Sequence, residues 1–124
     1  LVNRTRSRAE FLADEFGAKV AAVDWLQGED AMEGCATIVN ASSLGMTGHP
    51  SLPFSLKRAP RGALVNDIVY TPLMTPLLEE AEKRKLRVVD GLGMLLHQGR
   101  PGFEAWFGTA PQVDEALRAR VLAG

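Results

Sequence analysis

The sequence holds a single cysteine, a single tyrosine, two histidines and two tryptophans among 124 residues. One cysteine excludes an internal disulfide, and a reducing, cytoplasmic setting is the simplest reading. Cys35 lies in an apolar stretch with no histidine beside it, so it reads as packing and not as a nucleophile. No metal-ligating cluster emerges from the sequence. There is no excess of either charge: 14 basic and 15 acidic residues leave a net charge of −1. That balance gives no electrostatic case for nucleic acid or an anionic membrane as partner. No apolar run approaches the roughly 20 residues needed to cross a bilayer, and no signal-peptide pattern begins the chain. Internal repeats and low-complexity stretches are absent. What remains is 46% hydrophobic and 23% charged, ordinary for one globular domain.

The pattern alternates helices with short apolar strands. Thr5 is placed to cap a helix over residues 6–16, with Phe11, Leu12 and Phe16 on one face and Gly17 as its stop. Residues 19–25 read as a strand, residues 28–34 as a short helix with Met32 inward, and residues 36–40 as a buried strand ending on Asn40. Residues 41–62 form a long loop rich in Gly, Ser and Pro, of a length that is usually functional or mobile. A strand over 63–69 follows, then a helix capped by Thr75 with Pro76 at its first position. Its acids precede its bases, allowing Glu79–Lys83 and Glu80–Arg84 pairs on a solvated face. Residues 87–90 read as another strand, followed by a helix carrying Met94, Leu95 and Leu96. Phe103, Trp106 and Phe107 form a second apolar cluster. A last helix begins at Pro111, with Val113, Leu117 and Val121 spaced by four. This alternation predicts an α/β fold with a parallel sheet. Ligands on such sheets bind at the carboxyl ends of the strands, so Asn3, Asn40, Asp67 and Asp90 are expected on one rim.

Asn3-Arg4-Thr5, directly after Leu1-Val2, reads as a strand end turning into a helix. In a dinucleotide-binding βαβ unit the second strand ends where the adenosine ribose is read. An acid there selects NAD, whereas cations neutralise the 2′-phosphate of NADP. Arg4, Arg6 and Arg8 precede the first acid, Glu10, so the turn points to NADP. The first strand and Gly-rich loop of such a unit are expected roughly 20 residues upstream of this point. The fold expected is therefore an incomplete Rossmann-like sheet, with residues 1–90 as the NADP-binding part and 91–124 as a C-terminal helical segment.

Four segments together resemble the shikimate dehydrogenase family: Asn3-Arg4-Thr5 with Arg8; Asn40-Ala41-Ser42-Ser43-Leu44-Gly45-Met46; Asp67-Ile68-Val69-Tyr70-Thr71-Pro72 with Thr75-Pro76-Leu77-Leu78; and Asp90-Gly91-Leu92-Gly93-Met94-Leu95-Leu96-His97-Gln98. The resemblance covers nearly the whole chain but only the second half of the family's protein. It implies reversible, NADP-dependent interconversion of 3-dehydroshikimate and shikimate on the route to chorismate and aromatic amino acids. It also assigns roles. Asn3, Arg4, Thr5 and Arg8 hold the 2′-phosphate, and Arg6, between matching positions, points to water. Asn40 and Ser42 border the adenine and ribose side of the cofactor or, alternatively, satisfy backbone groups of a turn. Ile68 and Met94 lie near the nicotinamide and Gly91 beside its carboxamide. Tyr70 and Gln98 contact the substrate. Gln98 shares a helix face with Met94, four residues earlier, whereas His97 points elsewhere and is not assigned as a base. His49 reads as a surface residue.

The family's proton donor, a Lys paired with an Asp, belongs to its N-terminal substrate domain, and none of Lys19, Lys57, Lys83 or Lys85 matches it. The resemblance thus implies an enzyme as parent and no turnover by these residues alone. With the central strand absent, unpaired strand edges favour a homodimer or another association. Phe103, Trp106 and Phe107 are expected to be exposed. Two rival readings share the motifs: a quinate/shikimate dehydrogenase, often NAD-preferring, and a nucleotide-binding or interaction module without chemistry.

Overall fold

The computed structural model describes residues 1–124. Helix α1 (Arg6–Phe16) is followed by short 3-10 turns at Gly17–Lys19, Trp25–Gln27 and Asp30–Met32. Then come strand β1 (Thr37–Asn40), a 3-10 turn at Leu56–Arg58, strand β2 (Leu64–Asp67), helix α2 (Pro76–Lys83), strand β3 (Arg87–Val89), helix α3 (Gly91–Phe107) and helix α4 (Glu115–Leu122). The three strands form one parallel sheet in the order β1-β2-β3, with Asn40 opposite Asp67 and Asn66 opposite Val89. An α/β fold with a parallel sheet was the expectation, and the structure has it.

Strand alternation divides the sheet into two unlike faces. Val65 on one face is fully buried against Leu56, Leu77, Leu78, Ala81 and Leu86, with Ile38 and Val88 packed alongside. The opposite face is open: Val39 is 54% and Val89 45% exposed. Helix α2 forms because its apolar positions 77, 78 and 81 fall on one stripe. Pro76 starts it, and Thr75 caps it by accepting the Leu78 N–H.

Several elements differ from the sequence reading. Residues 19–25 form no strand; a single parallel bridge joins Val23 to Val2, and the Val23 N–H donates to the Leu1 carbonyl. With so short a partner the ladder has only one rung. The expected helix over 28–34 is instead a 3-10 turn at Asp30–Met32, although Met32 is buried as anticipated. The 41–62 loop is no loose excursion, because Leu56 and Ala59 within it are core residues. The apolar face of α1 is open, with Phe11 65% and Phe16 67% exposed, and only Ala9 is buried. The Glu79–Lys83 and Glu80–Arg84 pairs do not form. Glu80 instead accepts from the Ser55 hydroxyl and the Leu56 N–H, and Arg84 donates to the Ala59 carbonyl. Helix α3 runs on through Pro101, and α4 starts at Glu115 under an Asp114 cap, later than Pro111. Phe103, Trp106 and Phe107 are exposed, Trp106 at 81%.

The segment before β1 is joined to the segment that leads into β2. Trp25 packs against Phe54 with ring centroids 4.5 Å apart and planes tilted by 51°, and Gly28 lies under the same Phe54 ring, where a Cβ would collide. Glu29 accepts the Ser55 N–H, and Arg58 pairs with Asp30 and Glu33.

Candidate functional site

Parallel strands align their carboxyl ends, and here that rim is organised by one buried carboxyl group. Asp67 is fully buried. Its Oδ1 accepts from Asn40 Nδ2 and the Val69 N–H, each at 3.0 Å, and its Oδ2 accepts from the Thr75 hydroxyl at 2.7 Å. Asn40 is itself fully engaged. Its Nδ2 also donates to the Leu44 carbonyl, and its Oδ1 accepts from both the backbone N–H and the hydroxyl of Ser42. The Thr47 N–H donates to the Thr71 carbonyl, tying the loop after β1 to the turn after β2. Between these two segments lies an open groove of about 360 Å³, lined by Ala41, Ser42, Ser43, Met46, Ile68, Val69, Tyr70 and Thr71. Ser42, Ile68 and Tyr70 therefore share one groove, and Tyr70 is 46% exposed at its edge.

Helix α3 meets the same rim through Gly91. A Cβ on that residue would collide with the Ile68 carbonyl oxygen and lie 2.5 Å from that of Val69, so only glycine lets the helix start so close to the end of β2. Asp90 caps α3 by accepting the Leu92 N–H, and Arg118 of α4 forms a two-pronged ion pair with the same carboxylate. That hydrogen-bonded pairing raises the Arg118 pKa above its ordinary value. Met94, 40% exposed, and Gln98 follow one turn apart on α3. Sequence reasoning placed Asp90 on the rim but missed its engagement with Arg118. The 28-residue separation leaves no local signal of the pair.

The start of α1 is a separate basic site. Asn3 accepts the Thr5 N–H through Oδ1, while the Thr5 hydroxyl makes no cap bond. Arg6, expected to point to water, instead pairs with Glu10 at 2.7 Å and Asp24 at 3.1 Å, which raises its pKa. Asp24 is held below the ordinary carboxylate range, first by the Leu26 N–H and then by Arg6. Arg4 and Arg8 take part in none of the ion pairs and remain exposed on either side of Thr5. Two unpaired guanidinium groups, an unused hydroxyl and the positive end of a helix are a donor set suited to a phosphate. Asn3 follows the Val2–Val23 bridge, outside the three-stranded sheet, and no hydrogen bond links it to Asn40, Asp67 or Asp90.

Comparison with known proteins bears on this arrangement. The family model described as the Shikimate 5'-dehydrogenase C-terminal domain matches residues 91–119. Shikimate dehydrogenase (NADP(+)) of Paracoccus denitrificans is 57% identical over 99% of this chain and 44% of its own length. Among solved structures, quinate dehydrogenase from Corynebacterium glutamicum in complex with NAD is similar at a TM-score of 0.86 and 30% identity, covering 99% of this chain and 45% of its own. Shikimate 5-dehydrogenase from Thermus thermophilus, in complex with NADP(H) and shikimate, gives a TM-score of 0.74 at 34% identity, covering 90% of this chain and 40% of its own. The chain thus spans under half the length of the curated relatives it matches.

Proposed function

We propose that this chain, which corresponds to the C-terminal portion of the shikimate dehydrogenase family, supplies the NADP-binding part of an enzyme that reversibly reduces 3-dehydroshikimate to shikimate. The observation that carries the proposal is the division of labour at the α1 N-terminus. Arg6 is taken up by Glu10 and Asp24, leaving Arg4 and Arg8 free beside the Thr5 hydroxyl. With Asn3 shaping the turn, these residues hold the ribose 2′-phosphate of NADP. NADPH, when bound, supplies the hydride. Ile68 and Met94 pack near the nicotinamide, Gly91 lies beside its carboxamide, and Ser42, oriented by Asn40, borders the cofactor's ribose side. Tyr70, at the groove edge, and Gln98, one turn beyond Met94, hydrogen-bond the substrate.

Reduction of a ketone also needs a proton donor at the forming alkoxide. None of Lys19, Lys57, Lys83 or Lys85 lines the groove. That role therefore belongs to the part of the enzyme outside these residues, and the 124-residue polypeptide alone does not turn over shikimate. Residues 1–90 form the nucleotide-binding part, and 91–124 dock against the substrate part. The enzyme works in the cytoplasm on the route to chorismate. The isolated chain associates, most simply as a homodimer, through the open edge of β1 and the open sheet face. A quinate-oxidising relative is favoured by one observation, the TM-score of 0.86 to the NAD-bound quinate dehydrogenase. The absence of any acid before Glu10 favours NADP over NAD and keeps the shikimate reading ahead.

Calorimetric titration of three variants tests the proposal. Arg4→Ala and Arg8→Ala each weaken NADP binding about tenfold to a hundredfold, the loss expected for a charge-assisted hydrogen bond. Arg6→Ala leaves it within about twofold. Equal losses in all three variants overturn the assignment.

A further inference from the structure

We propose that Asp67 is a positioning residue. Through Asn40, Val69 and Thr75 it fixes the spacing of the two walls of the groove, the Ile68–Tyr70 wall at the nicotinamide end of NADP and the 41–44 wall along its ribose side. The inference rests on the cofactor reading above. Its basis is that the three donors converging on one fully buried carboxyl group come from three different segments: the end of β1, the turn after β2 and the cap of α2. Burying a carboxyl group among hydrophobes is costly unless its oxygens are satisfied, and an apolar residue of similar size would fill the space without that cost. What Asp67 adds is a connection that no apolar side chain makes.

The connection is directional. The Ser42 N–H can only donate and the Leu44 carbonyl can only accept, so the Asn40 amide has one orientation, with Nδ2 toward Asp67. Asn40 then sets the backbone of 41–44, one wall of the groove. On the other wall, the Val69 N–H is fixed by the same Oδ1, between Ile68 and Tyr70. Thr75 donates to Oδ2 while its oxygen accepts the Leu78 N–H at 3.4 Å, which locks the start of α2 to the rim. The Arg4–Arg8 site shares none of these bonds. Losing Asp67 should therefore spoil the groove and spare the 2′-phosphate site.

Asp67→Asn keeps the shape but replaces one acceptor with a donor, so either the Thr75 hydroxyl proton or the Asn40 and Val69 donors are left without an acceptor. The test titrates the unaltered chain, Asp67→Asn, Thr75→Val and Thr75→Ser with two probes, NADP and adenosine 2′,5′-bisphosphate. The expected result is that NADP binds at least about tenfold more weakly to Asp67→Asn and Thr75→Val, the bisphosphate binds within about twofold, and Thr75→Ser restores NADP binding. Amide exchange gives a readout without ligand: Asp67→Asn should release the Ser42 and Val69 amides and leave that of Val65 protected. If Asp67→Asn does not fold, the contrast between Thr75→Val and Thr75→Ser decides. Equal weakening of both probes, or unchanged NADP binding, overturns the positioning role alone. Absence of binding of either probe by the unaltered chain overturns the cofactor reading and this inference with it.

Discussion

Gly91 is the residue with the least room to change. Its Cα faces the carbonyl oxygens of Ile68 and Val69, and an added methyl group must push α3 away from β2 or distort the strand end. Gly91→Ala is expected to lower stability by about 1–3 kcal/mol, the range for overpacking, and to weaken NADP binding. Urea denaturation read beside a titration checks both; a fully stable Gly91→Ala protein would mean α3 starts elsewhere. Asp24 carries a pH signature. Its folded pKa lies below its ordinary value, so the folded state takes up a proton less readily than the unfolded one. The stability this gives is present above the unfolded pKa and is lost as pH falls through the folded one. As pH falls below about 4, the ordinary carboxylate value, the unaltered protein should lose more stability than Asp24→Asn; equal losses would show that the Leu26 and Arg6 contacts do not form. At this scale the sequence was legible where chemistry is local. The free Arg4 and Arg8 and the tight approach of Gly91 follow from residue type and position. Arg6 did not, because one of its partners, Asp24, lies 18 residues away.

Elements were legible where caps and periodicity agree. Thr75-Pro76 starts α2 as its sequence requires, and the apolar stripe at 77, 78 and 81 faces the core. Two elements were misread for physical reasons. The Gly-, Ser- and Pro-rich composition of 41–62 signals a loop, but hides that Leu56, held between the Ser55 cap and Glu80, is a wedge in the core. Leu56→Ala is accordingly expected to cost about 2–5 kcal/mol, as for any buried leucine, a loss that thermal unfolding would report; a mobile loop would show almost none. The stripe on α1 carries the right period, yet Phe11 and Phe16 remain exposed. Periodicity shows which face is apolar, not what covers it. The helix carrying Met94 and the cluster of Phe103, Trp106 and Phe107, read as separate features, belong to one element, because α3 continues through Pro101.

At the scale of the molecule, parallel topology was legible from strand–helix alternation, but the join between the two parts was not. Val2 and Val23 pair only with each other, and the three-stranded sheet closes without them. The link is made by Trp25 on Phe54, Glu29 on Ser55 and Arg58 on Asp30 and Glu33, contacts between residues distant in sequence. Of the eight residues that line the groove, three, Ser42, Ile68 and Tyr70, were singled out from the sequence, though not as neighbours. The buried Asp67 that holds it together was read as a strand end and as the start of a motif, with no contact assigned to it. The central claim is that the free arginines at the head of α1 read a 2′-phosphate. The most direct measurement is calorimetric titration of the unaltered chain with NADP and with NAD, which differ only in that group. The account predicts saturable NADP binding at least about tenfold tighter than NAD; equal affinity for the two would contradict it.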